Sequence, residues 1–218
     1  MSSQRKITVT CPKCNKSHPF TIWQSINTSL DPEMKAAVID LSAFLFECPT
    51  CGEKNYVNYS FLYHQMVDKI MIHYASSDKD AEEVCKMLAG DAPAGMLQDM
   101  RKNNYLTRLV RTHNELREKI MIFDNGLDDR IIELLKADIF NTFIKDNPDS
   151  KDVEILYFRG DEKNYIQILA DGKSQGIEEL SDELYEELAQ EYTDKLPNIR
   201  KDGPCIDREW ALGTINSN

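Results

Sequence analysis

The apolar positions of the chain change period several times, and each change marks an element. Over residues 5–10 polar and apolar side chains alternate, as in a half-buried strand. Phe20, Ile22 and Trp23 begin a second strand that runs to Ile26. Asp31-Pro32-Glu33 then supplies an N-cap, a proline at the first helical position and an acid in the first turn, which predicts a helix to Leu41. Phe44-Leu45-Phe46 reads as a strand, as do residues 56–63 and 69–74. Ser77-Asp78-Lys79-Asp80 has the form of a capping box and predicts a helix to Ala89.

Gly90, Pro93 and Gly95 break the pattern. Residues 91–104 are therefore read as a linker between a unit 1–90 and a unit 105–218, which stand apart or pack as one globule. Leu116, Ile120 and Phe123 recur at helical spacing up to Gly126. Leu127, Ile131, Leu134, Leu135, Ile139 and Phe143 continue in a second helix before Pro148, and its broad apolar face predicts burial. Residues 153–158 and 165–170 are rich in β-branched and aromatic residues and read as a hairpin turning at 161–164. Asp171-Gly172 turns into a short third strand at 175–177. Ser181 caps a helix with Asp182 and Glu183 in its first turn, running to Asp194 before Pro197. No repeat recurs at a fixed period.

One spacing changes this picture from a fold to a site. Cys11-Pro-Lys-Cys14 and Cys48-Pro-Thr-Cys51-Gly52 are matched Cys-x-x-Cys pairs, 33 residues apart. Each pair sets two sulfurs on one tight turn whose backbone N–H groups can face the thiolates. Two such turns supply four ligands in a tetrahedron. A redox dithiol needs one pair at the start of a helix, and neither pair leads into a clear helix. The expected cofactor is one structural Zn²⁺ held by Cys11, Cys14, Cys48 and Cys51, with the helix from Asp31 inside the gap. The fold class implied is α+β: an N-terminal zinc-ribbon-like antiparallel β module with an inserted helix, then a helical and β-hairpin unit.

At these residues the chain resembles the CpXC family of prokaryotic proteins, which share two Cys-Pro-x-Cys motifs. Trp23-Gln24-Ser25-Ile26-Asn27 and Asp31-Pro32-Glu33 are similar to the family's insert between the pairs, and Leu62-Tyr63-His64 is similar to the family's segment after the second pair. So is the stretch from Asn114-Glu115-Leu116 to Leu127-Asp128-Asp129-Arg130. The resemblance covers about 5–75 and 105–136 and implies a zinc ribbon. Asn15 departs from the glycine often found there, but asparagine also tolerates a left-handed backbone.

Composition and charge narrow the partners. Of 218 residues 41% are apolar, enough for an ordinary core, and 29% are charged without any low-complexity tract, which excludes global disorder. The net charge of -11 is uneven: residues 1–64 hold six Lys/Arg against five Asp/Glu, or +1, and residues 65–218 hold 20 against 32, or -12. Most of the surface therefore repels phosphate-rich partners. The basic exception is the stretch 101–119, with Arg101, Lys102, Arg108, Arg111, Arg117 and Lys119 around Tyr105. It is either a nucleic-acid face, with an aromatic to stack on bases, or a solvated face that pairs with the acidic run 178–191. The N-terminus has no apolar run to serve as a signal, and no stretch approaches the ~20 apolar residues of a membrane span, so the cytoplasm is expected.

Other chemistry-bearing residues have plain structural readings. His18 could replace a ligand but reads as a strand residue beside the site. His64, His73 and Asp68 could form a small polar site, or the histidines are satisfied or solvent-facing. Cys85 reads as a core or half-buried thiol, and Cys205 follows Gly203-Pro204 in a polar segment. Asp128 and Asp129 read as helix-opening acids. No phosphate loop, HExxH, GxSxG or GxGxxG occurs. The function expected is a non-catalytic, zinc-stabilised module that binds another protein. The alternatives are a nucleic-acid-associated regulator using 101–119 and an enzyme whose site lies in the C-terminal unit.

Overall fold

A computed structural model describes residues 2–88, 102–196 and 198–216. It is an α+β chain that divides into two compact units, Met1–His113 and Asn114–Asn218.

In the first unit β1 (Ser3–Thr10) and β2 (Ser17–Asn27) form a hairpin around the first cysteine pair. Over the first part of β2, Ser17, Pro19 and Thr21 are exposed while His18 and Phe20 are half-buried and Ile22 is buried, the period-2 pattern of a half-buried strand. The helix α1 (Glu33–Ile39) stops short of the expected Leu41, which turns left-handed at φ 68° and leads into a 3-10 turn. The short strands β3 (Leu45–Glu47) and β4 (Lys54–Tyr56) pair around the second cysteine pair. Next come β5 (Phe61–Gln65), β6 (Ile70–Tyr74), α2 (Asp78–Lys86) and β7 (Leu106–Val110). The main sheet has the order β1-β2-β5-β6-β7, with β2/β5 and β6/β7 parallel. Every residue of β6 is buried, as expected of a strand covered on both faces.

In the second unit α3 (His113–Asp124) and α4 (Asp129–Asp146) precede an antiparallel meander of β8 (Glu154–Gly160), β9 (Lys163–Ala170) and β10 (Lys173–Leu180). The helices α5 (Asp182–Tyr192) and α6 (Arg208–Asn216) come last. Both meander turns place two residues at positive φ, Asp161 and Glu162 in one and Asp171 and Gly172 in the other. That is the turn class whose twist matches a hairpin. The core is built from Ile122, Ile132, Ile155, Tyr157, Ile166 and their neighbours, and a second cluster joins Leu134, Ala137 and Ala211.

Three helices open on a side-chain cap, whereas at α1 the cap position is Pro32, with no side-chain cap bond, and not the expected Asp31. Ser77 Oγ accepts from Asp80 N–H, Asp128 Oδ1 from Arg130 N–H and Ser181 Oγ from Leu184 N–H. Gly126 (φ 70°) ends α3, with Leu127 N–H donating to Ile122 and Gly126 N–H to Phe123, the two bonds of a Schellman motif. A Cβ on Gly126 would meet nothing within 4 Å. Gly126→Ala is therefore expected to cost about 1 kcal/mol through backbone conformation alone, read as a lower urea midpoint with an unchanged slope.

Several expectations need correction. Residues 56–63 are two strands of different sheets. Between them Asn58 Oδ1 accepts from Tyr74 O–H, and Ser60 Oγ donates to Asp80, so side-chain hydrogen bonds turn the chain out of the ribbon. Residues 42–44 form a 3-10 turn, and the strand starts only at Leu45. The unit boundary lies after His113 and not near 105, because β7 pairs with β6 and buries Leu106, Arg108 and Val110 in the first sheet. The third strand spans 173–180, well beyond 175–177. The helix α6 has no counterpart among the expected elements. Its signal is Asp207, whose Oδ1 accepts from Trp210 N–H, with Ala211 at helical spacing beyond it. The expected helix end at Ala89 and the linker residues 91–101 lie outside the described residues.

Candidate metal centre

The two cysteine turns have one construction. Cys11 N–H donates to the Lys16 carbonyl (3.0 Å) and Asn15 N–H to the Cys11 carbonyl (2.9 Å). In the second turn Cys48 N–H donates to Glu53 (2.8 Å) and Gly52 N–H to Cys48 (2.9 Å). The residue after each pair is left-handed, Asn15 at φ 55° and Gly52 at φ 71°. Asparagine thus does at the first turn what glycine does at the second, because its short polar side chain tolerates that region. β1 and β2 hold the first turn, β3 and β4 the second, and Lys13 pairs with Glu53 between them at 3.0 Å.

The four sulfurs converge, all within 4.8 Å of one another. Cys11 and Cys51 are 3.6 Å apart and Cys14 and Cys48 are 3.7 Å apart. A disulfide needs about 2.05 Å, and all six cysteines are free. A tetrahedron of sulfurs at about 2.3 Å from a metal has edges of about 3.8 Å, close to both spacings. Phe46, Val9, Phe20 and Val57 pack around Cys11, Cys14 and Cys48, and Phe20 meets Phe46 edge to face at 5.8 Å.

The electrostatics of the cluster also fit a cation. Burial works against the Cys48 thiolate, but the N–H groups of Thr50 and Cys51 and the neighbouring thiols outweigh it and lower the pKa to about 6. At Cys51 the Glu53 N–H favours the thiolate, yet burial and the three other thiols push the pKa up to about 12. Four thiols this close cannot all ionise unless a positive ion shares their charge. Among the described residues this is the only group of three or more metal-ligating side chains that converges in this way. His18 stays beside the centre, its Nε2 3.1 Å from Thr50 Oγ1.

The other candidates do not assemble into a second site. His64 lies opposite Met71, and His73 opposite Leu62. His64 Nε2 is 3.1 Å from the Tyr105 hydroxyl, while Asp68 accepts from Gln65 (3.0 Å). His73 is buried in the sheet, which pushes its pKa down to about 4. Cys85 is half-buried on α2 and Cys205 is exposed. No helix among the described residues is long and apolar enough to cross a membrane.

The basic stretch is not one face. Arg108 is completely buried, its Nη1 donating to the Thr107 carbonyl (2.9 Å). Arg111 pairs with Asp78 at 2.6 Å. Lys119 is buried and bonded to Asp129 (2.8 Å) and Glu133 (3.1 Å), so its partners are helix acids and not the run 178–191.

Lys119 belongs to a buried ionic network that the sequence does not reveal. Lys136 bridges Glu133 (3.1 Å) and Glu118 (2.7 Å), and Glu118 Oε1 accepts the Tyr157 N–H (2.6 Å). Burial opposes the charge on both lysines, yet their carboxylate partners hold both pKa values above the ordinary lysine range. Burial would raise Glu133 as well, but Lys119 and Lys136 keep it low, whereas at Glu118 burial prevails and raises it. Arg130 adds a second station, bonded to Asp128 and to Asp202 (2.7 Å). Its Asp128 partner is thus both helix cap and counter-ion, and Asp129 is an internal one.

No curated protein and no solved structure matches the chain. A family model does: the one described as CpXC protein matches residues 9–136, which takes in both cysteine turns, the main sheet from β2 onward and the start of α4. With more than half of its length matched and the four-cysteine cluster in place, the chain belongs to the CpXC protein family.

Proposed function

We propose that this chain is a non-catalytic, cytoplasmic zinc protein whose one ion is structural, held by Cys11, Cys14, Cys48 and Cys51 in a zinc-ribbon-like module, and that it works by binding another protein. The observation that carries the metal assignment is the pair of cross-turn spacings, 3.6 and 3.7 Å, which match the edges of a thiolate tetrahedron. Four thiolates complete that tetrahedron. No coordination position remains for a water, so the ion holds the two turns together and activates nothing. Purified protein is expected to carry about one zinc per chain by elemental analysis, and cobalt(II) substitution to give the absorption of a tetrahedral all-thiolate site. A cobalt spectrum with a solvent or nitrogen ligand would overturn the closed site and bring His18 into it.

The choice of a protein partner over a nucleic acid rests on charge. Phosphate contacts need free cationic side chains on one face. Arg108 and Lys119 are buried and Arg111 is engaged by Asp78. What remains is a strongly acidic second unit, better suited to a basic or polar protein surface than to a phosphate backbone. A pull-down from the native host, with mass spectrometry of what the loaded protein retains, identifies the partner.

A further inference from the structure

We propose that Cys51 is a thiol-modification site through which an oxidant of the peroxide class discharges the metal. The proposal rests on the zinc reading above. The four ligand residues are unequal: Cys11 and Cys48 are 0% and 1% exposed, Cys14 is half-buried, and Cys51 is the most open of the four, flanked by exposed Thr50 and Gly52. A small oxidant arriving from solvent therefore meets Cys51 first. The sulfur facing Cys51 across the centre is Cys11 Sγ, 3.6 Å away.

The chemistry balances with those two residues and one peroxide. The Cys51 thiolate attacks a peroxide oxygen, the O–O bond breaks, hydroxide leaves, and Cys51 becomes a sulfenic acid. The Cys11 thiolate then attacks the Cys51 sulfur and expels a second hydroxide, forming a disulfide. Two thiolates lose two electrons in total, and the peroxide gains them and ends as two waters after taking up two protons. The sulfurs approach by about 1.6 Å, from 3.6 Å to the ~2.05 Å of a disulfide. Only Cys14 and Cys48 then remain as ligands, half of a tetrahedron, and the ion leaves. Because Cys11 and Cys51 sit on opposite turns, the new bond takes over the cross-link that the metal provided. The oxidised module stays tied while its ion is released.

The test uses the full chain, with its zinc content measured first, and hydrogen peroxide added in steps. A chromogenic chelator reads the free zinc, and peptide mapping after thiol blocking reads the bonds formed. The expected result is one zinc released for each Cys11–Cys51 disulfide, reversed by a phosphine reductant and added zinc. A zinc-loaded chain that forms Cys11–Cys14, Cys48–Cys51 or Cys14–Cys48 instead overturns the proposal alone. So does one that keeps its zinc while Cys85 and Cys205 oxidise. A chain that carries no zinc at the outset overturns the zinc reading and this proposal with it.

Discussion

Cys48→Ser is expected to strip the metal from the centre and unfold the N-terminal part of the first unit while the second unit stays folded. Cys48 is 1% exposed, and its sulfur is one of the four that converge, all within 4.8 Å of one another. A serine hydroxyl neither ionises at neutral pH nor suits a soft metal site, so a three-thiolate remnant holds the ion far less well. Binding of a structural zinc contributes on the order of 10–16 kcal/mol in small zinc-folded peptides, comparable to the ~5–15 kcal/mol of a whole domain. The apolar cluster around the cysteines is small, so little else holds the two turns together. Hydrogen exchange should show protection lost over β1, β3 and β4 and kept over α4 and β9, whose core residues all come from the second unit. Chelation should give the same map. Full metal retention by the variant would sink the ligand assignment.

Lys119→Met is expected to destabilise the second unit by about 3–5 kcal/mol, because it takes an ammonium away from two buried carboxylates. Asp129 is 0% exposed and Glu133 4% exposed, so water cannot replace the lost charge. The sign of the pH dependence can be worked out. In the wild type the Lys119 pKa is raised, so its contribution is fully present below the ordinary lysine value and is lost as pH rises through the folded one. In the variant the two acids gain raised pKa values, and an acid with a raised folded pKa gives back stability as pH falls. The deficit should therefore be larger at pH 8 than at pH 5, measured by urea unfolding with Trp210 as the reporter in the second unit. Equal deficits at both values would show that the loss is one of packing and not of charge. Replacing Lys119 and Asp129 together by apolar residues should recover much of the stability.

The four-cysteine cluster is legible in the sequence because its signal is local. Two Cys-x-x-Cys pairs announce their turns, and Asn15 fits the left-handed position that the first turn requires. Ser77 and Ser181 are legible as caps for the same reason, since a cap acts within its own turn, and Asp128 is legible only as an acid that opens a helix. The hairpin turns at 161–162 and 171–172 are legible through their Asp and Gly content. The features that escape a sequence reading are non-local. Arg108 makes β7 look like part of a solvated basic stretch, although its place between buried Leu106 and Val110 puts it inside the sheet. Glu118, Lys119, Glu133 and Lys136 look like an ordinary charged face of two helices. Only the packing of α3 against α4 turns them inward and pairs them. Asp129 looks like a helix-dipole acid, and nothing within one turn of it distinguishes that role from a buried counter-ion.

The network holds three carboxylates, Glu118, Asp129 and Glu133, against two ammonium groups, Lys119 and Lys136. The surplus acid has a use. β8 is an outer strand of the meander, and Glu118 takes a backbone N–H on its open side, at Tyr157. The segment Ile155-Leu156-Tyr157-Phe158 is apolar, aromatic and uncharged, the composition that readily adds a strand from another molecule. A carboxylate fixed against that edge, and anchored from behind by Lys136, blocks the docking position. The carboxylate that looks unmatched inside the unit is thus bonded to a backbone N–H that β8 leaves unpaired in its own sheet.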